Sequence, residues 1–227
     1  MKRYILLLLS LMSAVLAADQ TVYIKQIQGD NLDVTINQNN GDDNIVGWSQ
    51  GADQYFLLEG DSQTFTIDQI GSRNGLAGFV TLTDMFMFNM QQVGDDNQLD
   101  FFANNASFSD VNMVFTGSDN SVLFDLGGPG SGQYANIDWT VTGDYNNFTS
   151  MINADGALQD ITLTGDFNIF KIDQIGYGTS IDFHELYLDM TGDNNQVTIV
   201  QDTTLAAGHI DLVTNGSNQI INITQSD

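Results

Sequence analysis

The chain reads as an all-β protein, a curled stack of strand–turn–strand rungs forming a β-solenoid, with about eight or nine rungs. Three observations predict that fold. A Gly-led unit recurs along most of the chain, apolar and polar residues alternate inside each unit, and the composition suits strands and turns better than helices.

The composition first separates a folded chain from a disordered one. A formal charge of −24 alone would suggest disorder, but 42% of the residues are hydrophobic and 10% aromatic, ordinary for a chain that buries a core. The acids are lopsided: Glu59 and Glu185 are the only Glu, and the other 27 are Asp. Asp bonds its own local backbone and favours turns, whereas Glu favours helix. With 22 Gly and one Pro, strands joined by turns are expected.

The repeat emerges when units are aligned on the Gly that opens G-x-x-Asn or G-x-x-Gln. Such units begin at Gly41, Gly60, Gly71, Gly94, Gly117, Gly143, Gly165, Gly192 and Gly216. From Gly71 to Gly216 the steps vary from 22 to 27 residues, with a mean of about 24, a period typical of stacked architectures. Three residues after the Gly stands an amide: Asn44, Gln63, Asn74, Asn97, Asn120, Asn146, Asn168, Asn195 or Gln219. Five after it stands an apolar residue, from Val46 to Ile221, and seven after it the column is mostly large and apolar, as in Trp48, Phe101 and Ile199. Nine after it come Gln50, Gln69, Gln174, Gln201 and Gln225, with Gln38 in an earlier partial unit. Side chains at i and i+2 share a strand face, so this alternation is a strand with one face inward. A second strand precedes each turn, as Trp139/Val141 and Leu188/Met190 indicate.

One unit cannot bury its own apolar face, so units must stack. Stacking also accounts for the amides. A buried Asn or Gln is costly unless its donor and acceptor are both satisfied, and each can bond its equivalent on the neighbouring rung. The repeated amides are therefore expected to form inward ladders.

The N-terminal "MKRYILLLLSLMSAVLA" has a basic start at Lys2 and Arg3, an apolar run too short to span a bilayer, and small residues at its end. Residues 1–17 are expected to be a secretory signal peptide, and 18–227 a single repeat domain. Without Lys2 and Arg3 the formal charge moves from −24 to −26. So acidic a chain repels phosphate backbones, and nucleic acid is excluded as a partner. There is no Cys, hence no disulfide framework.

Taken together, Q-x-G-x-x-N-x-(apolar)-x-x-x-Q resembles the curlin repeat of curli fibre subunits. "QIGSRNGL" from Gln69 and "QVGDDNQL" from Gln92 match its first half, and "GDFNIFKIDQ" from Gly165 and "GDNNQVTIVQ" from Gly192 its second. The chain differs in its bulky Val, Phe and Leu, and in carrying Val80, Ala103, Leu126 and Ile152 where the final Gln belongs. The resemblance implies a secreted, extracellular subunit that assembles head-to-tail with itself into an amyloid-like fibre of a biofilm matrix. It also implies an outer-membrane secretion channel and a nucleator subunit as partners. No polar cap is expected at either end of the stack, which suits head-to-tail growth. The alternatives are a monomeric surface adhesin or cation-binding solenoid, and a minor nucleating subunit.

No enzyme and no cofactor are expected, since no carboxylate pair or nucleophile stands out. The turn acids Asp42, Asp95, Asp119, Asp144, Asp166 and Asp193 are weak calcium candidates, but they lack the form of known calcium rolls. His184 and His209 have no metal-ligand partners at recognisable spacing and are expected at the surface. "MFMFNM" from Met85 is expected in the core. Thr116, Thr142, Thr164 and Thr191, each just before a turn Gly, are expected to form an outward column.

Overall fold

The computed structural model describes residues 6–9, 20–26, 31–47, 56–81, 85–104, 108–127, 134–176, 184–203 and 208–226. They are strands and turns throughout, without helix, and every strand pairing is parallel. The chain is a β-solenoid.

From the third turn of the coil onward the pattern is regular. β6 (Gln63–Thr81) forms one rung by itself, bending round a corner. Each later rung has two strands: β7 (Met85–Val93) and β8 (Gln98–Asn104), β9 (Phe108–Thr116) and β10 (Ser121–Leu126), β11 (Tyr134–Thr142) and β12 (Asn147–Asn153). Then follow β13 (Ala157–Thr164) and β14 (Ile169–Gly176), β15 (Glu185–Thr191) and β16 (Gln196–Thr203), β17 (His209–Asn215) and β18 (Ile220–Ser226). These make about seven turns. Ahead of them lie two less regular ones, β4 (Leu32–Val46) with β5 (Phe56–Glu59), and the short β1 (Leu6–Leu9), β2 (Gln20–Val22) and β3 (Lys25–Gln26). The total is close to the expected eight or nine rungs. β1, paired with Asp33–Ile36 of β4, falls inside the segment expected to be a signal peptide.

Strands of one rung do not pair with each other; each bonds its equivalent one rung away. Trp139 pairs with Met113 above and Ile161 below, and Phe148 with Val122 and Phe170. Two parallel faces result. The first holds β1, β7, β9, β11, β13, β15, β17 and the leading halves of β4 and β6; the second holds the remaining halves and strands.

Their inward side chains meet in one dry core. Phe86 of the first face stacks on Phe101 of the second at 5.6 Å between centroids, and Trp139 meets Phe148 edge-on at 5.9 Å. Phe101 stacks on Phe124, and Phe148 on Phe170, so aromatic columns climb the coil as the amides do. Gly78 interrupts the first of these columns for a reason. It lies between Phe56 and Phe101, and a Cβ there would stand 2.6 Å from the Phe56 ring and 3.0 Å from Phe101. Phe56 occupies the place that spacing assigns to Trp48: Val46 pairs with Leu76, and Phe56 pairs with Gly78. Trp48 and Gln50 lie outside the described residues.

The corner between the faces is built from a fixed turn. The opening Gly of each rung from Gly94 to Gly216 has φ between 134° and 156°, and the residue two further on, such as Asp96, Tyr145 or Phe167, is left-handed at about 58°. A Cβ on Gly117, Gly143, Gly165 or Gly192 would run into the carbonyl of the preceding rung's Gly. The Gly column therefore stacks backbone on backbone.

Candidate assembly interface

Asn97 stands at the start of the second face, where the turn delivers it inward. It is 1% exposed, and Asn74, Asn120, Asn146, Asn168 and Asn195 are buried with it. The Nδ2 of Asn44 donates to Asn74 Oδ1 at 2.9 Å; Asn74 donates to Asn97, Asn97 to Asn120 and Asn120 to Asn146, each at 2.7 Å. The oxygens of Asn97, Asn120 and Asn146 each accept a second bond, from a backbone N–H. The backbone N–H groups of Asn74, Asn97, Asn120, Asn146 and Asn168 donate to the next Asn Oδ1 at 3.2, 3.1, 3.0, 2.8 and 2.8 Å. The expected Asn ladder is present.

It weakens along the coil. The Nδ2 groups of Asn146 and Asn168 have no partner, while Asn195 Nδ2 and Gln219 Nε2 turn to the carbonyls of Gly165 and Gly192, at 2.9 and 2.7 Å.

The Gln residues do not form one column. Gln38 and Gln69 lie on the first face with Gln92, and there Gln69 donates to Gln38 at 2.8 Å and Gln92 to Gln69 at 2.7 Å. Gln174, Gln201 and Gln225 share a column of the second face. They make no ladder: Gln174 Nε2 donates to the carbonyls of Ala157 and Glu185, Gln225 to that of Gly208, and both side-chain atoms of buried Gln201 lack a partner. Gln63 also stands apart from the Asn column, because Gly60 opens the other corner of the rung. Gln63 pairs with Leu32 and Phe86 and donates to the Gly60 carbonyl at 3.0 Å. Gln92 was the missed member. Its signal was the Q-x-G spacing it shares with Gln69.

The turn acids serve the stack too. Asp95 Oδ1 accepts the Ser118 N–H at 2.8 Å, Asp144 that of Asp166 at 2.7 Å, and Asp166 that of Asp193 at 2.6 Å. Asp193 accepts both the backbone N–H and the hydroxyl of Ser217, at 2.6 and 2.9 Å, and those bonds hold its pKa below the usual carboxylate value. Asp119 is the left-handed turn residue of its rung, and Asp42 belongs to β4. Among the described residues no group of three or more His, Cys, Asp or Glu is placed to hold a metal ion.

His184 corrects an expectation. It is buried just before β15, and burial lowers its pKa against the opposing influence of the Gly176 backbone and Asp155. The residue was too isolated in sequence to reveal an inward column position. His209 is exposed. Thr116, Thr142, Thr164 and Thr191 form the expected outward column, all exposed and successive in register.

At the far end, β17 pairs only with β15, and β18 only with β16. Among the described residues nothing covers their outer edges. Ile210, Leu212 and Ile221 are half-buried there, and Ile223 is 48% exposed although its column mates Ile172 and Ile199 are buried. This edge presents apolar columns, the ladder end at Gln219, and free backbone donors and acceptors.

No family model, no curated protein and no solved structure matches the chain.

Proposed function

We propose that this protein is a secreted structural subunit that stacks end to end with copies of itself into a curli-like, amyloid-type extracellular fibre. The observation that carries the reading is the uncovered β17–β18 edge. A parallel in-register ladder has no natural stop, since each rung is the template for the next. The opposite end offers matching columns: "QTVYIKQ" (20–26) and "QIINITQ" (219–225) both read Gln-x-apolar-x-Ile-x-Gln. Gln20 pairs with Asn44, the first rung of the Asn ladder, and Val22 with Val46 of the apolar column. A copy of β18 brought to β2 therefore sets Gln219 on Gln20 and Ile221 on Val22. The high negative charge keeps separate copies apart until these edges meet.

The test is self-assembly after dilution from denaturant, read by an amyloid dye, electron microscopy and fibre diffraction. Filaments with a meridional reflection at about 4.8 Å are expected. The double variant Ile221→Asp, Ile223→Asp should remain monomeric with an unchanged β circular dichroism spectrum. A wild-type chain that stays monomeric at high concentration would sink autonomous assembly and favour the adhesin reading. Assembly only when seeded onto, or seeding, another subunit would favour a nucleator role.

A further inference from the structure

The outer side of the first face is mostly Thr, Asn and Asp, and its exposed apolar side chains gather over β7, β9 and β11, with Ile70, Tyr187 and Val213 elsewhere on it. Met85 is 51% exposed, Phe108 52%, Met87 42% and Tyr134 38%. Register places Met85, Phe108 and Tyr134 in one outward column across β7, β9 and β11, and Met87, Asp110, Asn136 and Leu158 in the next. A groove of about 450 Å³ runs between the two columns. With rungs ~4.8 Å apart and alternate residues ~7 Å apart, it is a slot parallel to the coil axis, about 10 Å long over three rungs. Its width suits a flat ring system.

Polar groups in the slot are few. Ser109, between Phe108 and Asp110, turns its side chain to the inward face and is 3% exposed. Asp110 lines the slot and accepts from Asn136 Nδ2 at 3.2 Å. Two residues along the strand, Asp138 stands between Asn112 and Asp160. Burial, then Asp160 and Asp110, push its pKa up, so the potential beside the slot is negative.

Charge selects the occupant. Outside residues 1–17 the chain has only Lys25, Arg73 and Lys171 as cations, and the last two already pair with Asp43 and Asp173. A second copy laid sideways on the slot would bring acid to acid. A polysaccharide needs a density of hydrogen-bonding groups that Met85, Met87 and Leu158 do not supply. We propose that this slot is a binding site for planar aromatic cations, laid along the coil axis with the rings on Phe108 and Tyr134 and the positive edge toward Asp110. The contact combines ring stacking with the attraction of a cation for aromatic faces and a carboxylate. It does not depend on the fibre reading.

The test is a fluorescence titration of the monomeric full chain with proflavine, a flat cation, beside pyrenesulfonate, a flat anion. Proflavine should bind one per chain and pyrenesulfonate should not. Phe108→Ser and Met87→Ser, both outward-facing, should each weaken proflavine binding about tenfold, and Asp110→Asn several-fold, with unchanged circular dichroism. Tyr145→Ser, in the exposed Tyr145–Phe167 stack away from the slot, should leave binding unaltered. Equal binding of the anion, indifference to both Phe108→Ser and Met87→Ser, or loss on Tyr145→Ser would overturn the assignment. A Phe108-dependent dimer in sedimentation would overturn it too, giving the slot to a second copy.

Discussion

On the second face, Asn120 and Gln201 stand a few rungs apart, both buried and both carrying a side-chain amide. Asn120 accepts two bonds from Asn97 and donates to Asn146 and to the Gly117 carbonyl. Gln201 makes no side-chain bond. The difference is reach and support. The short Asn120 side chain leaves a turn whose Gly and left-handed residue recur in each rung from Gly94 to Gly216, so its Oδ1 falls under the amide of the rung before. The longer Gln201 side chain, in mid-strand, has more rotamers and no turn to aim it, whereas the laddered Gln69 and Gln92 stand two residues before Gly71 and Gly94. Satisfied buried amides stabilise a fold, while unsatisfied ones cost about 1–3 kcal/mol each. Repetition alone, then, does not make a ladder.

The largest expected effect comes from breaking the well-bonded part of the Asn column. Asn97→Leu removes the acceptor for both the N–H and the Nδ2 of Asn74, and should cost about 3 kcal/mol in urea unfolding. Asn168→Leu should cost about half as much, because Asn168 accepts only the Asn146 N–H and its own Nδ2 is unpaired. An equal loss at both positions would show that the column's fading toward the C-terminal rungs is without energetic meaning.

A smaller effect comes from the outer face. Asp138 has a raised pKa in the folded chain, so its charge disfavours folding above that pKa, and the penalty fades as pH falls toward the usual carboxylate range. Asp138→Asn should therefore raise the melting temperature at pH 7, with a gain that shrinks on acidification. Asp193 has the opposite sign. Its depressed pKa gives stability present above the unfolded value and lost as pH falls through the folded one. Asp193→Asn should lower the melting temperature at neutral pH and matter least in strong acid. Smallest of all, Tyr145→Asn relieves a bulky left-handed residue but forfeits the Tyr145–Phe167 stack, for a net gain of about 0.5 kcal/mol in thermal unfolding.

Much of this was legible in the sequence, because a stack forces the same residue type to recur at the same offset. The turn Gly, the Asn ladder, the alternating core and the outward Thr column all follow from spacing. What was not legible breaks that logic. Gly60 and Gly94 open similar G-x-x-amide units at opposite corners, so Gln63 and Asn97 look equivalent and are not. Phe56 fills a position that spacing assigns to Trp48, since the register that runs through Val46 and Leu76 is taken up again by Phe56 and Gly78. Tyr145 and Phe167 are poor left-handed residues, tolerated because the neighbouring rungs impose the turn. His184 lies in a column where its neighbours on either side, Ala157 and Gly208, carry no polar signal. The exposed half of "MFMFNM" shows the same limit: alternation marks two faces, and Met85 and Met87 fall outside while Phe86 and Phe88 go in.

Bonding within the amide columns holds the coil together, and the direct test is urea unfolding of Asn120→Leu beside Gln201→Leu under one set of conditions. Asn120→Leu should lose about 3 kcal/mol, while Gln201→Leu should be neutral or up to about 1 kcal/mol more stable, since it removes two unpaired buried atoms. Similar losses in the two variants would contradict it, and would mean that both columns hold the coil by packing alone.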